Sequence, residues 1–343
     1  MSRARRPPLA RHARRTPAAA AALALALAAG PAATAGCRDC GPSRDASTDA
    51  RPDAAAAGDA ALAADAAADA SPDGGAPSPF GPPFGPAQLL AALDDPAATE
   101  DDPSVAPGEL EIFFNSDRDA PGGPPHLWYA SRAALADPFG PPVRVEALVF
   151  TQGETTPELA PDGLGLHFAA ALPGGTGGLD LYFTARPAPG SLVFGAPIEV
   201  AALDSPATDD GAALRADGLE VFFASDRAGT LDVWRAARAA PADPWGAPAP
   251  VAGVSGIGVQ GGPALSADAR VLYFHGETTA PAGVHLWRAA RADGDAAFGP
   301  PELAADVNDL AATDLDPDLS ADGSALYFAS TRDGSFALYV ARR

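Results

Sequence analysis

A segment of twelve residues recurs five times in this chain without an internal gap, at 103–114, 157–168, 212–223, 263–274 and 317–328. A period of 51 to 55 residues demands an array or ring of like units rather than one irregular core. Each copy ends in an apolar run such as Ile112-Phe113-Phe114 or Leu326-Tyr327-Phe328. Residues that are apolar on both alternating faces describe strands covered from two sides. Asp162-Gly163, Asp217-Gly218 and Asp322-Gly323 place hairpin turns just before these strands, because Gly tolerates φ > 0 and Asp bonds its own backbone. A second element carries an aromatic residue and, four positions later, an Arg: Trp128/Arg132, Tyr182/Arg186, Trp234/Arg238, Trp287/Arg291 and Tyr339/Arg343. A third opens on Phe139-Gly140, Phe194-Gly195, Trp245-Gly246 and Phe298-Gly299.

Four short strands in about 50 residues make one propeller blade. The predicted fold is therefore all-β, a five-bladed β-propeller of four-stranded blades spanning 84–343. The fifth unit reaches Arg343 after its third strand, and the matching fourth strand lies at the front. Phe84-Gly85 and Ala91-Ala92-Leu93 repeat Phe194-Gly195 and Ala201-Ala202-Leu203 at the same spacing. The N-terminal strand is expected to complete the last blade and remove an open edge.

These units resemble the propeller repeats of the TolB type, which run from a Pro-Asp-Gly turn through a strand to Ser-x-Arg and then to Asp-aliphatic-Tyr. Leu159-Ala160-Pro161-Asp162-Gly163, Ser225-Asp226-Arg227 with Gly229, and Asp180-Leu181-Tyr182 stand in those positions. The chain departs from the pattern at Pro107-Gly108 and Asp268-Ala269, and the second and fourth copies lack Ser-Asp-Arg. TolB itself has six blades, whereas five are counted here. The resemblance implies a non-enzymatic scaffold that presents a propeller surface to envelope proteins. Some five-bladed propellers are also similar to glycosidases whose acids converge on a central funnel. That likeness would make Glu154, Asp209 and Asp314 the acid, base and pKa modulator of a carbohydrate-active enzyme.

The N-terminus carries an export pattern. Residues 1–36 hold six Arg and no acid, and the Arg residues precede an apolar stretch from Ala18 to Ala29. A basic stretch before a short apolar one is a signal peptide and too short for a permanent membrane span. Thr34-Ala35-Gly36-Cys37 resembles a bacterial lipobox, with Thr34 where an aliphatic residue is usual. It implies lipidation at Cys37; the alternative is an ordinary cleavage after Ala33 or Ala35. Residues 37–83 are rich in Ala, Asp and Pro, and cannot bury enough apolar surface to offset chain entropy, so a disordered tether is expected there. The implied protein is a monomer of the periplasm or outer membrane, held to its membrane by the lipid alone.

The formal charge of −21 divides unevenly: residues 1–36 contribute +6, residues 37–83 contribute −5, and the repeat region contributes −22. Such acidity excludes nucleic acid, whose phosphates need clustered cations, and favours a partner with a cationic segment. Three residues before each repeat motif stand Glu100, Glu154, Asp209, Gln260 and Asp314. With the first strand innermost, this ring is expected at one mouth of the central channel, either as a solvated acidic funnel or as a binding site for Ca²⁺ or a cationic segment. Asp314, Asp316 and Asp318, followed by Asp322, have a weak likeness to a calcium loop without its central Gly and distal Glu. No nucleophile, zinc or phosphate-loop motif is present, so no cofactor beyond Ca²⁺ is expected.

Overall fold

The structure is a computed structural model that describes residues 78–255, 258–279 and 282–343. The predicted signal peptide, Cys37 and nearly all of the predicted tether lie outside these residues. Twenty strands form five separate four-stranded antiparallel sheets. The chain enters with β1 (Gln88–Leu89) and then builds blade 1 from β2 (Glu100–Val105), β3 (Glu111–Ser116), β4 (His126–Ser131) and β5 (Val143–Arg144). Blade 2 holds β6 (Glu154–Leu159), β7 (Gly165–Ala170), β8 (Asp180–Ala185) and β9 (Ile198–Glu199). Blade 3 holds β10 (Asp209–Leu214), β11 (Glu220–Ser225), β12 (Asp232–Ala237) and β13 (Ala249–Pro250). In blade 4, β14 (Gln260–Leu265) leads to the longest hairpin, β15 (Val271–Thr279) with β16 (Ala282–Ala290), and then to β17 (Glu302–Leu303). Blade 5 has β18 (Asp314–Leu319), β19 (Ala325–Ser330) and β20 (Ala337–Arg342).

Its fourth strand is β1. Gln88 pairs with Val340 and Leu89 with Tyr339, so the front of the chain closes the ring as the repeat alignment predicts. The folded part begins earlier than residue 84, because Phe80 already packs into the core beside blade 5 at 8% exposure.

The two-faced strands explain the packing. Phe114, Phe168, Phe223, Phe274 and Phe328 are all fully buried, and so are Phe113, Phe222, Tyr273 and Tyr327 one position earlier. Consecutive strand residues face opposite sides, so each second strand feeds the core on both of its flanks. Five hydrophobic cores result, one in each seam between neighbouring blades. Removing one such ring costs about 3–5 kcal/mol.

The first strands β2, β6, β10, β14 and β18 neighbour one another around the axis. Each is broken by a bulge after its second residue, where the register to the next strand shifts. The third residue of each adopts positive φ: Asp102 at 49°, Thr156 at 47°, Gly211 at 58°, Gly262 at 52° and Asp316 at 50°. A bulge is where an inner strand tolerates proline, and Pro103, Pro157, Pro263 and Pro317 follow directly.

Candidate functional site at the propeller axis

The bulge decides which side chains reach the axis. The small chamber there, about 30 Å³, is lined by the positive-φ residues Asp102, Thr156, Gly211, Gly262 and Asp316, the residue after each, and Glu158. That is room for about two ordered waters or one ion.

Glu100, Glu154, Asp209, Gln260 and Asp314 do not line it. All five are buried, at 0–1% exposure, and turned into the blades. Three of them are held by the Arg of the Ser-x-Arg motif. Arg118 meets Glu100 at 3.0 Å, Arg332 meets Asp314 at 2.7 Å, and Arg227 pairs with Asp209. Each Arg also donates to the Ser two residues before it and to a backbone carbonyl of the preceding loop: Leu93, Leu203 or Val307. Its guanidinium lies about 5 Å from the ring of Phe114, Phe223 or Phe328. The acids in turn accept backbone N–H groups from Asp95, Ser205 and Asp309. A buried ion pair so fully hydrogen-bonded is a structural clamp.

The two blades without this Arg make other arrangements. Glu154 of blade 2 takes His126 of blade 1 at 2.9 Å, and blade 4 replaces the acid with Gln260, whose amide donates to the Val254 carbonyl at 2.9 Å. Burial still raises Glu154 above the usual carboxylate range and Glu100 to about 6, against the pull of their partners.

The acids at the axis are a different set. Asp101, Asp102 and Asp316 each bring a carboxylate oxygen within 4.8 Å of the others. Thr155 donates to Asp102 at 3.0 Å, the Asn115 amide donates to Asp101, and His275 of blade 4 meets Asp316 at 3.0 Å. Burial, and then the charge of Asp316, push Asp101 and Asp102 well up, and burial with Asp316 takes Asp210 to about 7. A second pair sits just beyond: Glu158 and Asp318, both raised by burial. Asp318 accepts the Val105 N–H at 2.6 Å, and Ser104 donates to Glu158 at 3.3 Å, so both acids also tie neighbouring blades together.

Carboxylate oxygens this close could accept a hard divalent cation; without one, proton sharing relieves their repulsion. The weak calcium-loop candidate is divided by the fold. Residues 314–319 are strand β18, in which Asp314 is clamped, Asp316 faces the axis and Asp318 bonds blade 1. Asp-Pro pairs at 102–103 and 316–317 were the sequence signal of the true axial acids.

No family model matches the chain, and no curated protein does. Solved structures share the fold. An endo-arabinase from Bacteroides thetaiotaomicron is 12% identical over 76% of this chain and 97% of that one, with a TM-score of 0.52. An alpha-L-arabinofuranosidase from Lactobacillus brevis is 13% identical over 74% and 94%, with a TM-score of 0.50. A TolB-like protein from Agrobacterium tumefaciens is 19% identical over 71% and 76%, with a TM-score of 0.45. At such identities the likeness is one of fold, a β-propeller, and fold alone does not fix function.

Proposed function

We propose that this is an exported, non-enzymatic propeller of the cell envelope that acts as a scaffold for a partner protein. The observation that carries this reading is the narrow axis. A chamber of about 30 Å³ admits a water or an ion and no sugar ring. Glu154, Asp209 and Asp314, the residues a glycosidase reading would employ, are occupied by His126, Arg227 and Arg332 and have no free approach for substrate. The acidity of the repeat region suits a partner with a basic face, and the N-terminal export pattern, with a lipid on Cys37, would hold the ring at a membrane surface.

The test pairs two measurements on the full-length protein. Incubation with aryl arabinofuranosides and xylosides is expected to give no hydrolysis above background, and cross-linking in the envelope is expected to capture one stoichiometric protein partner. Hydrolysis that disappears in Asp101→Asn or Asp316→Asn would establish the carbohydrate-active alternative instead. Absence of any captured partner would equally overturn the scaffold.

A further inference from the structure

The five seams between blades are built to one plan, and one of them is left incomplete. In four seams an aromatic side chain occupies the position next to the invariant Phe of the second strand: Phe113, Phe222, Tyr273 and Tyr327. Three of these meet the aromatic-Gly ring of the next blade at 5.9–6.5 Å, as Phe113–Phe194, Phe222–Phe298 and Tyr273–Phe84. The Arg that ends each third strand reaches back over the same seam. Its Nε bonds a turn carbonyl in every blade: Glu109, Gly163, Gly218, Ala269 or Gly323.

What differs is the partner of its outer nitrogens. Arg186 takes Glu111 at 2.5 Å, Arg291 takes Glu220 at 2.8 Å, and Arg132 takes Glu109 at 3.5 Å. Arg343 uses backbone carbonyls of Phe80 and Pro82 instead.

The seam between blades 2 and 3 departs at each of these places. Gly165 stands where Glu111 and Glu220 stand in the neighbouring seams, and His167 replaces the large ring. Arg238 keeps its bond to Gly218 and stacks 4.0 Å over Trp245; among the described residues no carboxylate comes within ion-pair distance of it, and Asp243 acts on it only from further off. His167 is 7% exposed, and its Nδ1 makes no hydrogen bond. Burial and the nearby Arg238 pull its pKa down to about 4, so the imidazole is neutral. Beside this seam lies an open groove of about 610 Å³, lined by His167, Phe183, Ile198, Arg238 and Trp245 among others. That size and this mixture of apolar wall and few polar groups are those of a small-molecule site.

We infer that the groove between blades 2 and 3 binds a small monocarboxylic acid with an aromatic or branched apolar body, its carboxylate on Arg238 and its body against His167, Phe183 and Trp245. The molecule itself supplies the template. The carboxylate would pair with Arg238 as Glu111 and Glu220 pair with Arg186 and Arg291, and the body would lie on the packed rings of His167 and Phe183, which fill the seam themselves. His167 Nδ1 gains a partner from the ligand's second carboxylate oxygen or another polar atom. Asp162, Glu199, Asp217 and Asp243 also line the groove. Asp162 and Asp217 are engaged with turn N–H groups, and Asp217 with Arg215 as well. This acidic margin adds repulsion with each further negative charge, so a monocarboxylate is favoured over di- and tricarboxylates.

The experiment is titration of the full-length protein with phenylacetate, its uncharged twin phenylacetamide, and citrate, followed by calorimetry and Trp fluorescence. Saturable phenylacetate binding is expected, with phenylacetamide and citrate at least tenfold weaker. Arg238→Met should weaken phenylacetate at least tenfold. His167→Phe should abolish binding while raising the melting temperature, because it restores the ring found in the other seams. Equal binding of acid and amide, no saturable binding of the acid, or an affinity unchanged in Arg238→Met would each overturn the inference. Neither result bears on the axial chamber or on partner capture, so the scaffold reading stands or falls separately.

Discussion

Two rings of residues run around the same five first strands, two positions apart, and chemistry treats their acids in opposite ways. The ring of Glu100, Glu154, Asp209, Gln260 and Asp314 is answered side chain by side chain, with an Arg, a His or a neutral amide matched to each blade. The ring of Asp102, Thr156, Gly211, Gly262 and Asp316 meets at the axis, where acids face acids and no Arg approaches. Charge in the first ring is answered by an Arg of the same blade three times and by His126 of the preceding blade once. Charge at the axis depends on which residues five separate blades happen to contribute. The first ring is therefore a matter of stability, and the second draws acids close enough to hold protons.

Breaking a clamp should have the largest effect. Arg332→Met leaves Asp314 buried without its cation, and denaturant unfolding should show a loss of about 3–5 kcal/mol. An effect under about 1 kcal/mol would mean that the clamp is not holding its blade.

Adding a charge where the repeat has removed one comes next. Gln260→Glu puts a carboxylate at a fully buried site with no Arg and turns the donor to Val254 into an acceptor. A loss of about 2 kcal/mol is expected at pH 8, smaller at pH 5 where the new acid can stay protonated.

The axial ring predicts the opposite pH behaviour to an ordinary ion-paired acid. Asp101, Asp102 and Asp210 hold their protons more tightly folded than unfolded, so the folded state binds more protons between the ordinary carboxylate value near 4 and their raised values. Their contribution is full below about pH 4 and is lost as pH rises toward 7 and beyond. Stability should fall from pH 5 to pH 8, and Asp101→Asn should reduce that fall by about 1–2 kcal/mol. An unchanged pH profile in the variant would show that the axial acids do not titrate together.

The sequence made the fold legible because repetition is insensitive to local error. Five copies fixed the number of blades, and the match of 84–93 to 194–203 located the closing strand. It was less informative about facing. Counting residues along β2 and its equivalents places Glu100 toward the channel, but the bulge and its positive-φ residue reset the alternation, and a one-residue change moves a side chain to the opposite face. The clamp Arg lay eighteen residues away on the next hairpin, and only strand pairing brings Arg118 or Arg332 to its acid. Blade 4 does show the link in sequence, since it loses both the Arg and the acid. His167 was likewise visible as the odd member of its column, but the groove beside it exists only once Phe183, Arg238 and Trp245 converge.

The ring is closed by a clasp of modest size. β1 pairs with β20 over only Gln88 and Leu89, backed by the rings of Phe80 and Phe84 and by Leu93 in the flanking cores. Every other blade is continuous in the chain from its first strand to its fourth. A mechanical load applied at the N-terminal end is thus borne first by the bonds of Arg343 to the Phe80 and Pro82 carbonyls and of Phe84 and Gly85 to Asp306 and Arg342, and then by the short β1 pairing. The clasp is the place where tension opens the circle, and it converts a pull on one end of the protein into exposure of the edge of blade 5.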